Sequence, residues 1–361
     1  MPRYTSNTIG EFEQICSLMI EDTIPFYMYK SLTTGITICF AELEGPFVSS
    51  YFNFATKTHN NDGLPYALCH LIFTGSKNYP YKDVMKKWIQ KCEATVTATI
   101  FHHRTCYQVK TPCTEAFFSL LPVYLDHIFY PTLTTSAYLT EIHHINGKGM
   151  DAGDLYCERK YAENTLAYLI EHKIINTFYD KRCGFTSHVK GVTKNLREST
   201  NNKKVKNYHK KFYRPENLTI FIAGQVKHNE VFLALMPLEQ KLLKRKQSRF
   251  RKPWRTPTVP FKKSKTLVVY YPHIADNDRI VNLIWKGPFS FNQRYEVHSC
   301  LVLWNYLISK SNLLYKTFRE LSIIYVKTIN RYYYQHQVTI FYFCLSGTQL
   351  TREDILHMRK Y

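Results

Sequence analysis

The sequence predicts an α+β fold made of two similar units, each an antiparallel sheet with helices against one face, the second unit being incomplete. Three observations support this. The 361 residues are enough for two domains with ordinary cores, and hydrophobic residues make up 45% of them, as in globular proteins. Segments of alternating apolar and polar residues, typical of strands, are separated by segments with helical spacing. A strand–strand–helix–strand layout occurs twice, without a repeat at the level of residues.

We predict a first domain over residues 1–240, a basic linker over 241–264 and a second, homologous but truncated domain over 265–361. Residues 1–24 carry little pattern. The clearest strand covers 94–100, where apolar residues and threonines alternate without a break, and we expect it to form a hairpin with 105–109. The remaining predicted strands of the first domain lie at 36–41, 47–55 and 218–223. The predicted helices lie at 63–73, 81–92, 115–129, 151–178 and 229–243, and one further helix ends over 208–213.

In the second domain the same reasoning predicts strands at 267–271, 279–285 and 338–345 and a helix at 295–308. Thr351 is expected to cap one further helix.

The formal net charge of +20 raises the question of a polyanionic partner. Lysine and arginine are spread along the chain, so we expect nucleic acid to be an unlikely partner. One dense cluster lies within 241–255, and a solvated linker is the simpler interpretation of it. A polyanion-binding site in 241–255 remains an alternative. The residues of this cluster are Lys241, Lys244, Arg245, Lys246, Arg249, Arg251, Lys252 and Arg255.

Ten cysteines are scattered without Cys-x-x-Cys pairs, which favours free thiols in a reducing compartment over disulfides or zinc fingers. The chain has no apolar run long enough to span a bilayer, so we expect no membrane partner. Its N-terminus shows no secretory signal. These features predict an intracellular protein, cytoplasmic or mitochondrial.

The predicted helix at 63–73 carries the most informative cluster. Pro65 suits a first helical turn, and Asp62 is expected to cap it. Tyr66 and His70 are four residues apart and share a face, with Cys69 beside them. An inverted zinc motif, His-x-x-Glu-His, would occupy these positions, but the chain has Tyr-x-x-Cys-His.

Several further segments have a matching order and spacing. Together with the helix at 63–73, they resemble the pitrilysin family of zinc metallopeptidases, in the branch that holds presequence protease. The resemblance covers about residues 20–350. The segments are Glu44-Gly45-Pro46, 61–82, 120–127, 141–147, 151–158, 193–197 and 214–219.

The resemblance implies a role for each matching position. His70 and Glu158 match two zinc ligands, whereas Tyr66 replaces the third ligand and Cys69 replaces the glutamate general base. Asp151 matches an acid that orients the zinc site. On its own pattern, Glu158 falls on an apolar stripe of the predicted helix at 151–178, where a salt bridge with a lysine is the alternative interpretation.

In the family, the strand that matches 94–100 pairs with the substrate backbone. Thr97 and Ala98 are therefore candidate substrate-binding residues, although Thr97 stands where the family has asparagine.

A phenol is a poor zinc ligand at neutral pH, and a thiol is a poor general base. We therefore expect zinc to bind weakly or not at all, and the chain to be a catalytically inactive homologue of a zinc metalloendopeptidase that retains a role in peptide or protein binding. An active zinc metalloendopeptidase with a rearranged site is the alternative enzyme. Because family members consist of two halves, we expect that another chain would have to supply the second half.

Overall fold

The computed structural model describes residues 8–179, 184–244, 250–251, 253, 278–289, 292–307, 309, 325–335 and 338–348. The chain divides into two compact units, 1–266 and 267–361, and each is considered by itself. The predicted strand at 267–271 and the helix capped by Thr351 lie outside the described residues.

The first unit is organised around an eight-stranded sheet with the strand order β1-β2-β3-β4-β10-β5-β7-β6. Neighbouring strands run antiparallel except β4 and β10, which are parallel. The short strands β8 and β9 pair separately. The strands are β1 (Thr8–Ile9), β2 (Phe12–Ile20), β3 (Ile24–Ser31), β4 (Thr37–Ala41), β5 (Val48–Ala55), β6 (Thr95–Ile100), β7 (Arg104–Thr111), β8 (His144–Ile145), β9 (Asp151–Ala152) and β10 (Leu218–Ala223).

Along the chain, the helices of this unit lie between β5 and β6, between β7 and β8, between β9 and β10, and after β10. They are α1 (Leu64–Leu71), α2 (Val84–Lys91), α3 (Thr114–Phe129), α4 (Thr135–Glu141), α5 (Asp154–Glu163), α6 (Leu166–Phe178), α7 (Thr193–Glu198), α8 (Asn202–Phe212) and α9 (His228–Leu243). No helix in the described part of the chain is long and apolar enough to span a bilayer.

One face of the sheet forms the hydrophobic core together with the helices. Along β5, every second side chain is buried, because successive side chains of a strand point to opposite faces. Phe52 of β5 and Tyr107 of β7 belong to the same buried cluster as Leu68 of α1, Tyr124 of α3 and Leu235 of α9. A mainly antiparallel sheet with helices confirms the predicted α+β class.

The described part of the second unit contains a three-stranded antiparallel sheet with the order β11-β13-β12 and one helix. Its elements are β11 (Asp278–Phe289), α10 (Arg294–Leu307), β12 (Tyr325–Gln335) and β13 (Val338–Thr348). The sequence predicts three of these elements but not β12.

Two other predictions are wrong. Residues 12–31 form a hairpin of β2 and β3, although no strand is predicted before 36; most of their side chains are only half-buried, so the pattern is weak. The single helix at 151–178 is two helices, because the chain turns at Asn164 and Thr165 caps α6. The helix predicted at 229–243 is observed as α9, and its last turn includes Lys241, whose Nζ lies 3.4 Å from Asp126 Oδ1.

Candidate functional site

The helix α1 begins where two glycines bring a loop against it. Gly63, which precedes the helix, has φ 65°, and a Cβ atom there would lie 2.6 Å from Gly191 Cα. Only glycine permits both this backbone conformation and this close approach. The approach places Lys190 beside α1, with its Nζ 5.1 Å from the centre of the Tyr66 ring.

Asp62 fixes the start of α1 without capping it. The helix has no side-chain cap, so the predicted cap is wrong. The buried carboxylate instead accepts hydrogen bonds from Lys204 Nζ (2.8 Å), Asn195 Nδ2 (3.0 Å) and Ser199 Oγ. Burial raises the pKa of Asp62, but these hydrogen bonds and the lysine charge outweigh it, so the pKa lies below its ordinary value. Asp62 thereby ties α1 to α7 and α8.

The structure brings Tyr66, His70 and Glu158 together between α1 and α5. The Tyr66 hydroxyl lies 2.9 Å from both carboxylate oxygens of Glu158 and donates to them. His70 Nε2 lies 3.9 Å from Glu158 Oε2. The rings of Tyr66 and His70 meet edge to face, with their centres 4.9 Å apart. We call these three residues the α1–α5 cluster.

The position of Glu158 on α5 differs from the prediction. The buried side chains of α5 include Leu155 and Arg159, whereas the Glu158 side chain is 42% exposed. The predicted apolar stripe is therefore wrong, because the helix breaks before its second half. Among the described residues, no lysine forms an ion pair with Glu158, and the basic side chain beside its carboxylate is His70, at 3.9 Å.

The protonation of the α1–α5 cluster follows from its burial. Burial raises the pKa of Tyr66, and the hydrogen bond and charge of Glu158 raise it further, so the phenol keeps its proton at neutral pH. Burial lowers the pKa of His70, although the charge of Glu158 opposes this, so the imidazole is neutral. Tyr66 is therefore a fixed donor to Glu158.

Cys69 does not belong to this cluster. Its side chain packs against the hydrophobic core, and burial raises the pKa of its thiol to about 12. A thiol that stays protonated in an apolar environment is a poor nucleophile and a poor base. Cys69 fills space beneath α1.

Asp151 lies in β9, ahead of α5, and bonds to residues outside the α1–α5 cluster. Its Oδ1 lies 2.8 Å from His143 Nε2, and its Oδ2 accepts from Arg197 Nη1 at 3.1 Å. The hydrogen bond with His143 is the main reason why the pKa of Asp151 lies below its ordinary value. These bonds connect the start of α5 to the segment after α4 and to α7.

Thr97 and Ala98 lie on β6, the outermost strand of the sheet, and β6 contacts α1. Both side chains are exposed, and the Thr97 hydroxyl donates to Gln108 Oε1 of β7 at 3.3 Å. In the described sheet, β6 pairs only with β7. The outer backbone edge of β6 is thus open for a further strand close to the α1–α5 cluster.

The zinc ion that the resemblance implies does not fit these residues. A catalytic zinc site needs three protein ligands and an open position. Tyr66 is a protonated phenol that donates to Glu158, and Cys69 faces the core. Within the described ranges, no group of three or more His, Cys, Asp or Glu side chains could hold a metal ion.

Sequence reasoning missed two contributors to the site. Lys190 enters through the close approach of Gly63 and Gly191, and the glycine after Lys190 was the available signal. The role of Asp62 depends on Asn195 and Lys204, more than 130 residues away, and no local pattern indicates those partners.

Two family descriptions match consecutive parts of the chain. "Insulinase (Peptidase family M16)" matches residues 55–169, and "Peptidase M16 inactive domain" matches residues 199–357. The first match contains β6, α1 and Glu158, and the second contains most of the second unit.

Curated relatives agree with these matches. An uncharacterized protein of Caenorhabditis elegans is 33% identical over 290 residues, which are 80% of this chain and 29% of that protein. The mitochondrial presequence protease of Candida albicans is 27% identical over 207 residues, 54% of this chain and 19% of that protein. The chain thus spans less than a third of the length of either relative.

Solved structures share the fold. A protease from Helicobacter pylori has a TM-score of 0.74 at 18% identity, covering 92% of this chain and 77% of that one. Pitrilysin has a TM-score of 0.65 at 12% identity, covering 94% of this chain and 35% of that one. With both family descriptions, the curated relatives and this fold in agreement, the chain belongs to the pitrilysin- and insulinase-like M16 peptidase family.

Proposed function

We propose that this chain is a non-catalytic M16 family member that binds an extended segment of a peptide or protein along β6. The observation that carries the proposal is the hydrogen bonding of Tyr66 to both oxygens of Glu158. This contact connects α1 to α5 through side chains alone.

The chemistry of the cluster supports a non-catalytic role. Metal-assisted peptide hydrolysis needs a metal-bound water and a carboxylate that takes its proton. The position of that carboxylate is held by the core-facing thiol of Cys69, and a ligand position is held by the protonated phenol of Tyr66. A missing general base alone typically costs about 10²–10⁴-fold in rate.

The binding role rests on the open edge of β6. An extended segment can pair with an exposed strand edge through backbone hydrogen bonds, while its side chains alternate between the two faces of the sheet. On one face they meet Thr97 and Gln108, and on the other they approach α1. Recognition of this kind depends mainly on the peptide backbone, so we expect broad sequence tolerance.

The first test is the zinc content of the purified chain, measured by atomic emission after dialysis against trace zinc. We expect almost none. The variant Tyr66→His/Cys69→Glu, which restores the inverted zinc motif, should gain zinc strongly because His70 and Glu158 already face each other. About one zinc per unaltered chain, together with peptide cleavage, would instead support the active zinc metalloendopeptidase.

The second test is peptide binding, measured by fluorescence anisotropy with a labelled peptide of about eight residues, the length of a typical strand. We expect weak, saturable binding. The matched control is the same peptide methylated at alternate backbone nitrogens, which cannot pair along a strand edge. Equal binding of both peptides would exclude pairing along β6.

For the cellular location, we propose the cell interior, in mitochondria or cytosol. The mitochondrial presequence protease of Candida albicans, to which the chain is similar, supports this proposal. Cell fractionation tests the assignment, and recovery from the culture medium would contradict it.

A further inference from the structure

The helix α8 has one buried face and one strongly basic face. Its eleven residues include five lysines and no acidic residue. Val205, Tyr208 and Phe212 are buried in the core. The opposite side exposes a set that we call the α8 lysine face: Lys203, Lys206, Lys210 and Lys211.

The lysines of this face are not used to hold the fold together. Lys204, the fifth lysine of α8, pairs with Asp62 at 2.8 Å and anchors the helix. None of the four lysines of the α8 lysine face forms an ion pair with a residue that the structure describes. Lys211 Nζ lies 5.1 Å from the ring of Phe212.

The arrangement is unfavourable for the helix itself. Lys203 and Lys206 are three residues apart and Lys206 and Lys210 are four apart, so like charges are neighbours along one stripe. The helix dipole does not decide the matter, because it disfavours Lys203 in the first turn and favours Lys210 and Lys211 in the last. The stripe of like charges is thus the local choice that opposes the fold, and such choices are expected at functional sites.

The positive field extends beyond the helix. Burial lowers the pKa of His59, and the charges of Lys57 and Lys211 lower it further. The segment after β5 therefore continues the basic surface. A field of this extent, on a chain with a net charge of +20, favours a densely negative partner.

The side chains of the face limit the choice of partner. No large hydrophobic residue of α8 is exposed, so the face offers nothing to insert into a membrane or to pack against an amphipathic helix. Lysines act as point charges and lack the planar guanidinium group with which arginine forms paired hydrogen bonds to a carboxylate or phosphate. A partner bound by charge alone must carry a high charge density, and duplex nucleic acid carries about one charge per 1.7 Å of its axis.

We propose that the α8 lysine face binds the phosphate backbone of double-stranded nucleic acid without sequence preference. Sequence reasoning discounts nucleic acid because lysine and arginine are spread along the chain, but the fold gathers these four on one surface. The α8 lysine face shares no residue with the 241–255 cluster or with the α1–α5 cluster. The inference does not rest on the proposed peptide binding.

Salt dependence gives the expected magnitude. Each phosphate neutralised contributes about −0.9 to the slope of the logarithm of the binding constant against the logarithm of salt concentration, so four contacts predict about −3.6. Between about 50 mM and 200 mM salt, affinity should then fall about 150-fold. Removing three of the contacts should reduce the slope to about −0.9.

The experiment measures anisotropy of a labelled mixed-sequence DNA duplex of about 20 base pairs, with the full chain, over that salt range. The test variant is Lys203→Gln/Lys206→Gln/Lys210→Gln. The matched control removes the same charge from exposed lysines of α2, as Lys86→Gln/Lys87→Gln/Lys91→Gln. Circular dichroism checks that both variants fold.

We expect the α8 variant to lose most of the affinity and of the salt slope, and the α2 variant to keep both. Equal loss in the two variants would show that net charge alone attracts DNA, and would overturn the proposal. Absence of binding by the unaltered chain at about 50 mM salt would overturn it as well. So would binding of poly-glutamate as tight as that of the duplex, because the partner would then be an acidic polypeptide.

Discussion

Removing the Tyr66 hydroxyl tests whether the α1–α5 cluster holds the two helices together. Tyr66→Phe keeps the ring that meets His70 edge to face, with ring centres 4.9 Å apart, and deletes only the donor to Glu158. The change therefore isolates the hydrogen bond from the packing of the aromatic ring. We expect a less stable protein with an unchanged fold.

The magnitude follows from the exposure of the acceptor. A hydrogen bond to a charged group contributes about 1.5–3 kcal/mol to stability. Glu158 is 42% exposed, so water replaces part of the lost bond, and we expect a decrease in the free energy of unfolding of about 1 kcal/mol. For a unit of 266 residues this lowers the melting temperature by about 2 °C.

The assay is thermal unfolding followed by circular dichroism, in excess EDTA and again with added zinc. The matched control is Tyr161→Phe on α5, since Tyr161 is 78% exposed, and it should melt like the unaltered chain. Addition of zinc should leave the melting temperature of the unaltered chain unchanged. A Tyr66→Phe variant as stable as the Tyr161→Phe variant would refute the hydrogen bond as a tie between α1 and α5.

Two further predictions concern the start of α1. Gly63→Ala places a Cβ atom 2.6 Å from Gly191 Cα at a residue with positive φ, so we expect the free energy of unfolding in urea to fall by more than about 1 kcal/mol. The control is Gly147→Ala, whose Cβ meets nothing within 4 Å and which should unfold like the unaltered chain. Because the pKa of Asp62 is lower in the folded state, its contribution is complete above about pH 4 and is lost as the pH falls through the folded pKa. Asp62→Asn should therefore be less stable at neutral pH and lose less stability on acidification. If the variant and the unaltered chain lost the same stability between neutral and acidic pH, this prediction would be contradicted.

Elements with a strong local pattern could be predicted from sequence. The strand predicted at 218–223 is observed as Leu218–Ala223, and every second side chain of it is buried, as its alternation indicates. The hairpin of β6 and β7 is also observed as predicted. No side chain of β6 is buried, so the alternation there indicated the strand but not a buried face. The start of α1 was also indicated, by Pro65.

What the sequence could not indicate depends on tertiary contacts. The hairpin of β2 and β3 has few fully buried side chains, so its stability comes from pairing with β4 and not from a strong pattern of its own. The break at Asn164 divides the predicted helix in two, and α5 buries Leu155, Tyr156 and Arg159 and leaves Glu158 exposed. Lys190 reaches Tyr66 only because two distant glycines touch.

The geometry also separates metal binding from catalysis. Tyr66→His alone would place a second imidazole beside His70 and Glu158, whose reactive atoms are already 3.9 Å apart, and so complete a set of three ligands. Cys69→Glu adds a carboxylate that must leave a core-facing position, where burial of a charge is costly. We therefore expect Tyr66→His alone to gain zinc. Added zinc should then raise its melting temperature, because zinc at a hundredfold excess over Kd stabilises the folded state by about 2.7 kcal/mol. The double variant should be less stable than the single one without zinc. If the single variant gains no zinc and the double variant does, the introduced glutamate is itself a ligand, and Cys69 lies closer to the cluster than its packing indicates.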